Sequence, residues 1–231
     1  NVVRGTFRIQ DKITNTASTG FMGGEDATFH FNSGITNNGN LALSFGTSRL
    51  FGNINNDQGI ITVSGASNVT FYDDLINTGT IQVSMGSNAV YFGGVTGGGS
   101  FIGTGTNYFE GDLAPGSSPG TMSFGGNVVL GPLSTTEIEL AGPVRGTEYD
   151  MMIVNGDLTL DGTLNILQID GYTPNDGDVF DILDFESFRL SGFFDRVNLP
   201  VLSSGLVWDQ TNLYLTGELM VSLSQLSGDF D

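Results

Sequence analysis

The chain has 231 residues, enough for one large domain or two small ones, with 39% hydrophobic and only 14% charged residues and 35 glycines that follow no three-residue period. A net charge of −18, with Lys12 as the single lysine, points away from nucleic acid, whose phosphates require clustered Lys and Arg. The absence of cysteine excludes disulfides, thiol nucleophiles and thiolate metal sites, and no apolar run reaches the ~20 residues of a membrane helix.

The N-terminal stretch NVVRGTFRIQDK carries Arg4, Arg8 and Lys12 against Asp11. It lacks the apolar core of an export leader, so a leader has been removed or was never there. In the following GGEDATFHF, Glu25 and Asp26 precede His30, the only histidine and so a candidate base or ligand. Phe29 and Phe31 flank it on the opposite strand face, which makes His30 an outward residue.

From here the sequence repeats every 20 residues. Gly39, Gly59, Gly79 and Gly99 form one column, and Leu41, Ile61, Ile81 and Phe101 form the next. Leu43, Val63, Val83 and Gly103 form a third, and Phe31, Phe51, Phe71 and Tyr91 a fourth. Columns two residues apart share one face of a strand, so these apolar side chains point inward and the mixed set between them points to solvent. A strand, a turn and another strand at this period is the pattern of an all-β fold, a β-solenoid or parallel β-helix, whose coils stack ~4.8 Å apart. An ordinary sandwich with evenly spaced hairpins is the rival, and it does not explain several columns in register. Ser44, Ser64, Ser84 and Thr104 are expected at a corner, as are the Asn-rich links ITNNG, INNDQG and INTG, where left-handed backbone angles are tolerated. Asp73 and Asp74 are the adjacent acidic pair of the repeats and the place to look for glycoside chemistry, which needs two positioned carboxylates. A solvated corner is the simpler assignment, and Arg49 has no acidic cluster beside it.

At LAPGSSPG, residues 113–120, the register slips by one, which brings Met122 and Phe124 to the inward positions. Prolines among glycines and serines mark a rigid corner and the best place to divide the chain, into regular coils over 1–112 and a less regular continuation over 113–231. The first part carries 4 basic and 8 acidic residues and the second 3 basic and 17 acidic, so the continuation holds most of the negative charge. In LTLDGTLNI the Asp-Gly pair suggests a hairpin, but that pairing would place Leu158 and Leu160 on one face and Leu164 and Ile166 on the other. A solenoid corner takes all of them inside. The series Asp178, Asp181, Asp184 and Glu186 reads as a solvated rim, and Trp208 as a core or edge aromatic.

The succession LAPGSSPGTMSFGGNVVLGPLSTTEIELAG, GTEYDMMIVNGDLTLDGTLNI, YTPNDGDVFDILDF and VNLPVLSSGLVWD resembles the C-terminal passenger region of autotransporter-like, β-helical bacterial surface proteins, over roughly residues 113–216. The resemblance implies an exported, non-enzymatic stalk, adhesin or matrix protein at the cell surface. Autotransporters end in a membrane barrel that does not follow here, so self-secretion by that route is not expected. The final LSGDFD resembles the opening of a dockerin-type calcium loop, in which Asp229 and Asp231 would be the first ligands. An acidic tail is the simpler reading.

No cofactor is expected, since phosphate-loop, zinc and G-x-S-x-G motifs are absent from the sequence. The expected role is an extracellular structural or adhesive β-solenoid that contacts a surface polysaccharide or matrix, with a carbohydrate-active β-helix enzyme as the alternative. End-to-end self-association is expected as well, because an open coil presents unpaired edges and the two ends carry opposite charge.

Overall fold

A computed structural model describes residues 2–16, 20–116 and 119–224. Asp229 and Asp231 lie outside the described residues. Of the described residues 56% are strand, and the strands stack in parallel into a β-solenoid with about 21 residues per turn.

Each turn contributes three short strands, and each strand pairs with its equivalents in the turns before and after. Face I is built from Asn40–Ser44, Ile60–Ser64, Thr80–Val83, Ser100–Ile102, Thr121–Phe124, Met151–Val154 and Leu183–Phe185. Face II begins with Thr47–Phe51, Asn68–Phe71 and Asn88–Tyr91 and runs to Leu190–Gly192. Face III starts at Ile13–Asn15, continues through Ile35–Asn37, Ile54–Asn56, Leu75–Asn77, Val95–Gly97 and Leu113–Pro115, and ends at Arg196–Asn198. The long strand Phe21–Phe31 pairs with face I through its first half and with face II through its second, which joins them into a 16-stranded sheet; face III is a separate sheet of 9 strands. Parallel pairing continues on face III on both sides of Leu113.

The inward columns form the core. Leu41 pairs beside Ile61, Ile61 beside Ile81 and Ile81 beside Phe101, all with no more than 1% exposure. Each such side chain removed from water stabilises the fold by about 1.5–3 kcal/mol, and only the stack supplies the neighbours that remove it. Met122 and Phe124 are buried after the register slip, and Phe124 pairs beside Phe101. Leu158–Leu160 and Thr163–Gln168 lie on faces II and III, pairing with neighbouring turns, and Leu158, Leu160, Leu164 and Ile166 are all buried around a left-handed Gly162.

The glycine column is explained by close approach. A Cβ on Gly59 would lie 2.3 Å from the Asn37 carbonyl oxygen, and one on Gly79 would lie 2.3 Å from that of Gly59. Gly39 and Gly99 are equally tight, at 2.5 Å from Gly20 O and 2.6 Å from Gly79 O. No side chain fits where one turn rests its backbone on the next.

The fourth column needs correction. Phe31, Phe71 and Tyr91 are buried, but Phe51 faces out, and the inward position of its strand belongs to Leu50, which pairs beside Phe29 and Phe71. Phe31 lies two residues beyond Phe29 and so is not in the Phe71 column. The spacing on face II is 21 residues from Phe29 to Leu50 and again to Phe71, and a one-residue error in a strand reverses every side chain. The third column also ends early, because Gly103 lies beyond the paired residues of its strand with a left-handed φ of 88°.

The Asn-rich links are corners only in part: Gln58 has a left-handed φ of 56°, whereas Asn37, Asn56 and Asn77 are buried, inward residues of face III. Asn15 donates to Asn37 Oδ1 at 2.7 Å, Asn37 to Asn56 at 2.8 Å and Asn56 to Asn77 at 2.8 Å. The second amide hydrogens of Asn15, Asn37 and Asn56 reach the carbonyls of Asn40, Ile60 and Thr80, so a polar side chain is satisfied at each rung.

At the C-terminal side the parallel pattern gives way to an antiparallel sheet of Val179–Asp181, Glu218–Leu223 and Leu206–Asp209. Phe180, Leu219 and Val221 add its inner face to the core. Trp208 is half-buried beside Phe180 and donates from Nε1 to Pro200 O at 2.9 Å.

Candidate functional site

The solenoid turns its functional options outward. Three features stand out: the corner carboxylates, an aromatic column and a trough along face III.

Asp73 and Asp74 occupy the corner between faces II and III, where they part company. Asp73 Oδ2 accepts from the Gly52 N–H of the preceding turn at 2.7 Å, and Asp74 Oδ1 accepts from the Gly94 N–H of the following turn at 3.0 Å. The adjacent pair therefore staples three turns together and does not converge on a common point. Asp26 does the same for the first corner, accepting from Thr47 N–H at 2.6 Å, while Glu25 pairs with Arg4.

His30 points outward and stacks on Phe51 with ring centroids 4.7 Å apart; Phe51 stacks on Tyr72 at 4.4 Å, and Tyr72 on Phe92 at 5.6 Å. The rings are within 8° of parallel. Within the column most ring faces cover one another, so Phe51 and Tyr72 offer ring edges to solvent, while Phe92 at the end is 51% exposed. The residues follow a spacing of 21, 21 and 20, a signal that a fixed 20-residue grid conceals.

The trough follows the outward column of face III. Register places Thr36 beside Asn55, Asn55 beside Ile76, Ile76 beside Thr96 and Thr96 beside Ala114, and Glu137 continues the line. The corner residues Asn53, Asp74, Gly94 and Asp112 form one wall, and the space enclosed is about 590 Å³. Lys12 stands at one end, and Asp74, Asp112 and Glu137 line the rest. Asn165 Nδ2 approaches Glu137 Oε2 at 3.5 Å.

Several acidic residues of the C-terminal half have local partners. Arg145 reaches Asp181 at 2.8 Å and Asp184 at 2.6 Å, and Asp178 accepts from Tyr172 OH at 2.7 Å. Burial raises the Asp181 carboxyl above its usual range, with Arg145 opposing the shift. Asp150 is buried and accepts from Gly120 N–H at 2.6 Å and Glu139 N–H at 2.9 Å; burial pushes its carboxyl up to about 6 against these hydrogen bonds. Among the described residues no group of three His, Asp or Glu side chains is placed to hold a metal ion. No helix among them is long and apolar enough to cross a membrane.

No family model matches the chain. Over 94 residues, 39% of its length, the chain is 31% identical to the Adhesin BmaC autotransporter of Brucella suis biovar 1 (strain 1330). The matched stretch spans 3% of that protein.

Proposed function

We propose that this chain is a bacterial cell-surface β-solenoid with an adhesive, non-enzymatic role. The observation that carries the reading is the 31% identity to an autotransporter adhesin in a chain that folds as a continuous parallel stack. A stack of rigid turns holds outward residues at fixed spacing, which suits repeated weak contacts with a polysaccharide or matrix surface. Beads coated with the chain are expected to remain on epithelial monolayers or immobilised polysaccharide through washes that remove albumin-coated beads. Equal loss of both bead types overturns the adhesive role.

Head-to-tail association is the finer part of the proposal. Arg8 and Lys12 lie in the first turn and Glu218 in the last sheet, so contact between ends of opposite charge strengthens as salt is lowered. Light scattering that stays monomeric at low salt removes this part alone.

The trough with Asp74, Asp112 and Glu137 favours a second reading, a carbohydrate-active enzyme. Cleavage of a polysaccharide, with or without calcium, that disappears in Asp112→Asn would decide for it.

A further inference from the structure

We infer that the face III trough binds an extended, non-acidic oligosaccharide and prefers one bearing amino groups. The inference rests on the adhesive reading and names the chemistry of its ligand.

The trough has the size of a ligand site, since such clefts run to roughly 300–1,000 Å³ and this one encloses about 590 Å³. It crosses six successive turns, from Ser33 to Glu137, which at ~4.8 Å per rung makes it about 24 Å long. That shape takes a linear chain lying along the solenoid axis and meeting a new rung with each ring.

Its floor suits a sugar. Thr36, Asn55 and Thr96 present hydroxyl and carboxamide groups, which both donate and accept, as sugar hydroxyls do. Ile76, 49% exposed in the middle of the line, offers an apolar platform for the C–H face of a ring. The β-branched side chains sit on strands paired on both sides, so little freedom is lost on binding. That same pairing argues against a peptide strand, because no backbone edge is free in the floor to accept one.

Charge selects within the sugars. Asp74, Asp112 and Glu137 against Lys12 leave the trough negative, so it repels uronic acids and attracts ammonium groups. The aromatic column is a poorer sugar site, because most of its ring faces are spent on one another.

Calorimetric titration of the chain with a glucosamine hexamer, cellohexaose, hexagalacturonate and hexalysine tests the inference. The glucosamine hexamer should bind tightest, about tenfold better than cellohexaose at low salt, and hexagalacturonate should not bind. Thr96→Tyr, which fills the trough from an outward position, should weaken both binding sugars about tenfold or more. Asp112→Asn should narrow the gap between them about threefold, and Gln82→Tyr on face I should change neither. Hexagalacturonate binding as well as the glucosamine hexamer, unchanged binding in both trough variants, or hexalysine binding without any sugar overturns the inference. Should Thr96→Tyr melt early, Asp112→Asn decides. If no sugar binds while coated beads still adhere, the trough inference fails and the adhesive reading stands; if the beads also wash away, both fail.

Discussion

At the residue scale the solenoid sets two neighbours in very different environments. Ile81 lies between Ile61 and Phe101 with no exposure, while Gln82 faces out from the same strand. Ile81→Asp places a carboxylate among hydrocarbon and should cost several kcal/mol, a large fraction of a domain's stability, whereas Gln82→Asp should stay within about 1 kcal/mol. Thermal melts of the two variants check this, and equal melting temperatures would contradict the facing. Asp150 makes a pH prediction. Its carboxyl, near 6 in the folded chain and 3.8 when unperturbed, takes up its proton more readily folded than unfolded. Its contribution to stability is therefore fully present below the unperturbed value and is lost as pH rises through about 6. Between pH 7 and 5 the wild type should gain melting temperature relative to Asp150→Asn, which does not titrate; parallel curves would remove the burial account.

At the scale of elements, the amide ladder separates buried from exposed hydrogen bonds. Asn56→Ala cuts the chain between Asn37 and Asn77, leaves buried amide groups unpaired and opens a void, so it should cost about 2–4 kcal/mol. Asn88→Ala breaks an equally short amide contact to Asn68, but an exposed one, and should cost under about 1 kcal/mol. Denaturant titration distinguishes the two. The same ladder marks what the sequence makes legible. Apolar alternation gives away Leu41, Ile61, Ile81 and Phe101 because water exclusion acts on those side chains directly. Asn37, Asn56 and Asn77 satisfy one another only across turns, so nothing in their own turn reveals burial. A fixed 20-residue grid misplaces Phe51 because hydrogen bonding fixes register in space, while corners absorb the difference in length: face I repeats at 20 residues where face II takes 21 from Phe29 to Leu50 and from Leu50 to Phe71.

At the scale of the molecule, the inside is uniform and the outside is not. Core columns run through successive turns, whereas the outer columns change from amide and hydroxyl to aromatic to acidic. Periodicity constrains only the inward set, so the trough stays hidden in a sequence where Lys12 and Glu137 are separated by more than half the chain. Its corner residues are read as turns, and stacking alone turns them into a wall. In an adhesive solenoid these outer faces meet the environment outside a cell. Fluorescent Fab fragments raised against the folded chain test this on intact cells of the organism that makes the protein. Labelling without permeabilisation, together with reduced attachment of the labelled cells to epithelial monolayers, is the predicted result. Labelling that appears only after permeabilisation, with attachment unchanged, would contradict it.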